Sequence, residues 1–181
     1  TQMVAKGLNF PNVTLVGVLC SDQALYSGDF RGGERTFSLI TQVVGRSGRG
    51  SKPGSAYIQT ISPDNEVIQA AARQDYEAFY QQEIVMRKIA LQPPFCDLAV
   101  IGFAGVSEEQ TKKAAEKFHK ILQKQLVDPA GAMPVILLGV SQAMVYRVSG
   151  KYRYRIVIKC RNNKRFRQRL RLAFEEAVSQ K

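Results

Sequence analysis

Ala143-Met144-Val145-Tyr146-Arg147-Val148-Ser149-Gly150-Lys151-Tyr152-Arg153-Tyr154-Arg155-Ile156-Val157-Ile158-Lys159-Cys160 is the stretch that decides the fold of the C-terminal half. Ser149-Gly150-Lys151 is a hairpin signal between two arms rich in β-branched and aromatic residues. The second arm alternates Tyr152, Tyr154, Ile156 and Ile158 with Lys151, Arg153, Arg155 and Val157. That is the period of a strand with one apolar and one basic face. The alternation sets the tyrosines toward the core and leaves the arginines on the other side.

Working outward, Val135 to Leu138 reads as a further strand and Leu98 to Phe103 as another. Between them Ser107-Glu108-Glu109-Gln110 has the form of a capping box, in which the serine oxygen accepts an unpaired N–H of the first turn. The helix it opens is predicted to bury Ala114, Ala115, Phe118, Ile121, Leu122 and Leu126, with Lys112, Lys113, Lys117, Lys120 and Lys124 in solvent. After the hairpin a helix from about 163 to 178 points Phe166, Leu170, Ala173, Phe174 and Ala177 inward. The order β-α-β-β-α is that of a small α+β, ferredoxin-like split βαβ without its final strand, a loss that truncation would explain.

Further upstream, residues 64–92 carry Val67, Ile68, Ala71, Ala72, Tyr76, Phe79, Tyr80, Ile84 and Ile89, the pattern of one broken or two successive amphipathic helices, stopped by Pro93-Pro94. Before them Val13 to Leu19 is a short apolar run that reads as a buried strand of a parallel sheet. A polar loop spans Ser21 to Gly33, and Phe37, Leu39, Ile40, Val43 and Val44 then recur at helical spacing. Gly54 to Ile61 reads as a second strand, so this part is the tail of an α/β domain. The expected organisation is 1–62 as the α/β piece, 63–95 as a helical connector and 96–181 as the basic α+β domain. The chain shows neither an internal repeat nor a low-complexity linker.

Net charge is +11, and its distribution says more than its total. Residues 1–95 hold 9 basic and 8 acidic side chains, whereas 96–181 hold 17 and 7. Between Asp128 and Glu175 no acidic residue occurs, while Arg147, Lys151, Arg153, Arg155, Lys159, Arg161, Lys164, Arg165, Arg167, Arg169 and Arg171 all fall there. Such a block attracts polyanions by releasing their counterions; its bland alternative is a solvated basic face. Arg153, Arg155, Arg165 and Arg169 are the candidate phosphate contacts, and Tyr146, Tyr152 and Tyr154 beside them could add base stacking if they faced outward. The three cysteines, Cys20, Cys96 and Cys160, are widely spaced and share one histidine, His119. No metal site or disulfide framework is expected from them; they read as reduced apolar thiols. No window approaches the roughly 18 apolar residues of a membrane span, so no membrane partner and a cytoplasmic location are expected. The opening Thr1-Gln2, in place of Met, is expected to mark a piece of a longer protein.

The most specific chemical signal is Gln42-Val43-Val44-Gly45-Arg46-Ser47-Gly48-Arg49, Q-x-x-G-R-x-G-R at the end of a helix. Glycines let a ligand approach the backbone. An arginine's planar fork donates two parallel hydrogen bonds to phosphate and keeps its charge. Read from composition alone, the run serves a nucleotide, a nucleic-acid loop or an ordinary turn.

This run resembles motif VI of superfamily 2 helicases, and Thr1-Gln2-Met3-Val4-Ala5-Lys6-Gly7-Leu8-Asn9-Phe10-Pro11-Asn12-Val13 resembles motif V. Lys6-Gly7 before Phe10-Pro11, Asp29-Phe30-Arg31 before Glu34-Arg35, and Leu91-Gln92-Pro93-Pro94-Phe95 leading into a basic domain are similar to the primosomal, replication-restart family of DNA helicases. The resemblance implies that 1–62 is the C-terminal part of a RecA-like second helicase lobe bearing both motifs. It implies that Arg46 and Arg49 reach the phosphates of ATP held mainly by another lobe, with Gln42 coupling hydrolysis to lobe movement. Gly7, Asn9 and Gly45 would lie near the nucleotide, and Thr1 and Lys6 toward DNA. Many members have Asp where Asn9 stands, so the ribose or water contact at that position departs from the pattern.

The implied intact protein is an ATP-dependent 3′ to 5′ helicase acting at stalled or D-loop forks, with Mg²⁺ as cofactor and zinc held upstream. Its implied partners are forked and single-stranded DNA, the single-stranded-DNA-binding protein, other primosome proteins and the replicative helicase loader, at nucleoid-associated forks. No G-x-x-x-x-G-K-[ST] loop and no acidic magnesium motif occurs in these residues, so this piece alone is not expected to hydrolyse ATP. The alternatives are a non-catalytic nucleic-acid adaptor and another superfamily 2 branch such as the fork-reversal enzymes.

Overall fold

The computed structural model describes residues 13–45, 53–128 and 133–179. The chain divides into two compact units with the boundary between Met86 and Arg87.

In the first unit β1 (Leu15–Val18) and β2 (Ser55–Ile58) pair in parallel, Leu15 opposite Ser55 and Val18 opposite Ile58. The connection carries helix α1 (Gly32–Val44), so β1-α1-β2 is a crossover unit of the kind parallel pairing requires. Two more helices follow, α2 (Glu66–Ala72) and α3 (Tyr76–Ile89), as two successive helices rather than one broken one. Asn65 caps α2, its side-chain oxygen accepting the N–H groups of Val67 and Ile68. Val18, Phe37, Ile40, Ile68, Ala70, Ala71 and Phe79 form the core, with the rings of Phe37 and Phe79 stacked at 4.3 Å. The strands are less buried than their composition led us to expect. Leu15 is 62% exposed and Leu19 77%, because among the described residues helices cover only the side of the two-stranded sheet on which Val18 lies. Gly32 opens α1 where the chain is crowded: a Cβ there would collide with the Ala24 carbonyl oxygen.

In the second unit β3 (Asp97–Gly105) precedes helix α4 (Glu108–Leu122), which ends in a wider turn over Gln123–Val127. Then come β4 (Ile136–Leu137), β5 (Ser141–Val148), β6 (Lys151–Cys160) and α5 (Lys164–Ser179). The long strand β6 is central: β3 runs antiparallel along one edge in unbroken register, and β4 followed by β5 runs antiparallel along the other. Strands β3 and β4 are therefore parallel to each other, joined through α4, with β6 between them. The fold is α/β overall, a small parallel sheet in one unit and an antiparallel sheet in the other.

Helices α4 and α5 lie on one face of this sheet. Phe118, Ile121, Leu122, Leu126, Ile156, Ile158, Cys160, Phe166 and Ala173 are buried together, with Ala99, Ile101 and Phe103 of β3 packed against them. Ser107 caps α4 as expected, accepting the Gln110 N–H at 3.4 Å. Two expected core residues are exposed. Ala114 points to solvent, since the buried stripe runs through Thr111, Ala115 and Phe118; Phe174 is 46% exposed and leans on Phe118 at 4.9 Å. Glu176 of α5 accepts from Gln125 at 2.8 Å and pairs with Lys124 at 3.1 Å, and these contacts hold its carboxyl below the ordinary range.

The β5–β6 turn has positive φ at both central residues, 48° at Ser149 and 76° at Gly150. That is the type I′ pattern whose twist matches the strands it joins. Gly150→Val should therefore cost about 1–3 kcal/mol, whereas Ser149→Asn should stabilise, because asparagine tolerates this conformation better. Urea midpoints followed by circular dichroism check both; a Gly150→Val midpoint equal to that of the parent would contradict the strain.

Candidate nucleic-acid interface

Strand β6 organises the basic surface. Tyr154, Ile156, Ile158 and Cys160 are buried toward the helices, so Arg153, Arg155, Val157 and Lys159 face the opposite, uncovered side. Opposite them on β3 stand Ala104, Gly102, Val100 and Leu98 respectively. Small residues beside long basic ones leave a depression: nothing lies within 4 Å of a Cβ built on Gly102. Lys159 is tied down, its ammonium donating to the Ala90 carbonyl at 2.5 Å.

The third wall comes from an irregularity in β5. Gln142 pairs with Tyr154 and Arg147 with Tyr152, so Ala143–Tyr146 stand opposite the single residue Arg153. A bulge of this kind bends the strand and re-aims side chains. It is anchored from beneath: the Tyr146 ring meets Tyr152 at 5.6 Å and Tyr154 at 5.9 Å, both edge-on. The Tyr154 hydroxyl donates to Glu108 at 3.1 Å and lies 3.5 Å from the Tyr146 hydroxyl. Glu108 first, then Tyr154, holds the Tyr146 phenol well above its ordinary pKa. The Arg147 guanidinium sits 4.9 Å from the Tyr152 ring centre. With the tyrosines held below, Met144 and Val145 are left 52% and 57% exposed. The outcome is a trough of about 550 Å³ lined by Gly102, Ala104, Met144, Val145, Arg153 and Arg155 among others. Arg155 Nε is shielded from solvent and has no hydrogen-bond partner among the described residues.

Arg165 and Arg169 stand four residues apart on α5 and line a different groove with Gln168 and Leu172. The four arginines singled out from sequence thus form two pairs on two grooves. The tyrosines lie toward the helices, as the alternation required. His119 is half-buried with Nε2 unpartnered among the described residues.

In the first unit Gln42 lies in the last turns of α1, its side-chain amide donating to Ser38 at 2.9 Å, on a groove shared with Gln23, Glu34, Arg35 and Leu39. Gly45 closes α1, its N–H donating to the Thr41 carbonyl at 3.0 Å. Thr1, Lys6, Gly7, Asn9, Arg46 and Arg49 lie outside the described residues. Asp22 was not anticipated. It accepts the Thr60 hydroxyl at 2.6 Å and the Ile61 N–H at 3.1 Å, while Ser21 donates to the Gln59 carbonyl at 2.9 Å. The Thr60 hydrogen bond, with that of Ile61, outweighs desolvation and holds the Asp22 carboxyl below its usual range. This clasp fixes the loop leading into α1 to the end of β2.

Among the described residues no group of three His, Cys, Asp or Glu could hold a metal ion. Cys160 is buried, which raises its thiol pKa, whereas Cys20 is exposed rather than core. Among the described residues no helix is long and apolar enough to cross a membrane.

Fold and charge together define a class: an α/β chain whose C-terminal α+β unit presents arginines on an uncovered sheet face, a surface suited to a polyanion. The chain belongs to the primosomal protein N C-terminal domain family, whose model matches residues 88–181. It is 48% identical over 159 residues to the replication restart protein PriA of Bacillus subtilis (strain 168), an alignment covering 88% of this chain and 19% of that protein. The PriA of Chlamydia pneumoniae is 45% identical over 159 residues, 88% of this chain and 21% of the relative. That of Chlamydia muridarum (strain MoPn / Nigg) is 41% identical over 177 residues, 98% of this chain and 23% of the relative. The chain spans about a fifth of the length of these curated relatives.

Proposed function

We propose that this chain serves replication restart as part of an ATP-dependent superfamily 2 DNA helicase, supplying part of a RecA-like second lobe followed by a ferredoxin-like DNA-binding domain. The observation that carries this reading is that identity to replication restart proteins runs through 177 residues and both units. The basic C-terminal half supports it independently. In this reading Arg46 and Arg49 face the phosphates of ATP, Gln42 couples hydrolysis to movement, Gly7, Asn9 and Gly45 line the nucleotide, and Thr1 and Lys6 lie toward DNA. ATP and magnesium are held mainly by the other lobe and zinc by upstream residues, and this chain alone does not turn over ATP. The C-terminal unit contacts forked and single-stranded DNA through Arg153, Arg155, Arg165 and Arg169. Further partners are the single-stranded-DNA-binding protein, other primosome proteins and the replicative helicase loader, in the cytoplasm at nucleoid-associated forks.

The test is DNA affinity of the chain against salt. Each phosphate neutralised adds about 0.7–0.9 to the slope of log K against log salt, and four contacts give a slope of about −3. Fork and single-strand binding that falls in this way supports the reading; binding indifferent to salt, or none, would overturn the DNA-contacting role.

A further inference from the structure

We infer that the trough on the uncovered sheet face is a groove for single-stranded nucleic acid, with Arg153 and Arg155 on neighbouring phosphates and the bases laid over Gly102 and Ala104 against Met144 and Val145. This rests on the proposed DNA-binding role of the C-terminal unit and adds the groove in which the unpaired strand lies and the residues that receive its bases.

Three observations converge. The first is charge. Among the described residues no carboxylate lines the trough, and Glu108 accepts from Tyr154 on the helix side of the sheet. Arg155 Nε has no protein acceptor among the described residues, so that donor is not committed to a neighbouring side chain. The second is spacing. Arg153 and Arg155 project from the same face two residues apart, about 6.7 Å along the strand, a separation that adjacent phosphates of an extended single strand span.

The third is the apolar wall. Met144 and Val145 are held out in water by a bulge whose tyrosine anchor lies on the other side of the sheet. A duplex offers such a wall only base edges within its grooves, because the flat faces of its bases are stacked on one another. Only an unpaired strand presents phosphates and flat apolar bases together, and grooves that hold such strands combine cationic side chains with surfaces on which bases lie. The floor must then stay low, and Gly102 and Ala104, directly across from Arg155 and Arg153, are the small residues that keep it so.

The experiment uses the full chain, a fluorescein-labelled oligothymidylate and a labelled blunt duplex, read by anisotropy. Met144→Glu places a carboxylate in the wall, and Gly102→Leu fills the floor. Each should weaken oligothymidylate binding by about tenfold, the scale of one lost base contact, and leave duplex binding within twofold. Arg153→Gln with Arg155→Gln should flatten the salt slope by about 2, one per phosphate contact; the same pair of changes at Arg165 and Arg169 serves as a comparison on the other groove. Met144 is already half exposed, so Met144→Glu stays informative should Gly102→Leu disturb the sheet. Parent-like oligothymidylate affinity in Met144→Glu would overturn the groove while leaving the DNA-binding role standing. Equal losses on both probes would overturn the single-strand assignment, and a parent chain that binds neither probe would overturn groove and role together.

Discussion

Arg46→Ala, introduced into an intact replication-restart helicase that carries this chain, is expected to lower ATP turnover by roughly 10³- to 10⁵-fold. DNA affinity is expected to change by less than about twofold. The magnitude follows from the work assigned to the side chain: negative charge is redistributed over the γ-phosphoryl oxygens in the transition state, and a guanidinium that meets it there lowers the barrier without improving ground-state binding. An effect of this kind appears in kcat rather than KM for ATP. Helix α1, which precedes Arg46 in sequence, is buried along Phe37 and Ile40, braced by the Asp22 clasp at its approach, and closed at Gly45 by a hydrogen bond to Thr41. Phosphate release should be measured with saturating DNA. Turnover within tenfold of the parent would remove Arg46 from the nucleotide site, while a parallel loss of DNA affinity would move it to the DNA surface.

Local chemistry made much of this fold legible. Gly150 announces a turn between the two arms because glycine takes positive φ freely, and Ser107 announces a helix because its oxygen can take the Gln110 N–H. Alternation along β6 separated the buried from the basic face. What could not be read depends on register and on partners distant in sequence. Nothing in Gln142-Ala143-Met144-Val145-Tyr146 shows that four residues will oppose Arg153, because a bulge is chosen by how the flanking pairs and the tyrosine cluster settle. Asp22 meets Thr60 and Ile61 only because the parallel pairing of β1 and β2 brings positions 38 and 39 apart in sequence together. The four arginines look alike in a charge map, yet a strand sets two on the sheet and a helix sets two on its own groove. In the first unit the apolar run around β1 reads as buried, but a strand's burial is decided by what covers it, and Leu15 and Leu19 are uncovered among the described residues.

The second large effect is structural. Phe166→Ala should cost about 3–5 kcal/mol, the range for deleting a fully buried aromatic ring. Phe166 is 2% exposed, packed among Phe118, Leu122, Ile156 and Ile158, and its backbone N–H donates to Asn163 Oδ1 at 2.9 Å. The cavity cannot be refilled cheaply, because the ring lies between a helix and a strand that are both fixed by their own hydrogen bonds. Domains of this size are stable by about 5–15 kcal/mol in all, so the loss consumes a large part of the total and should appear as a lowered urea midpoint with little change in slope. Phe174→Ala, on the same helix but 46% exposed, should cost well under half as much. A Phe166→Ala cost below about 1 kcal/mol would mean that α5 is not packed against β6 as described. The consequence reaches the candidate groove, because Ile156, in the same buried cluster as Phe166, is an inward neighbour of Arg155 on β6. If the helix layer holds β6 in register, DNA binding by Phe166→Ala should follow its unfolding curve with temperature and match the parent wherever the variant is folded.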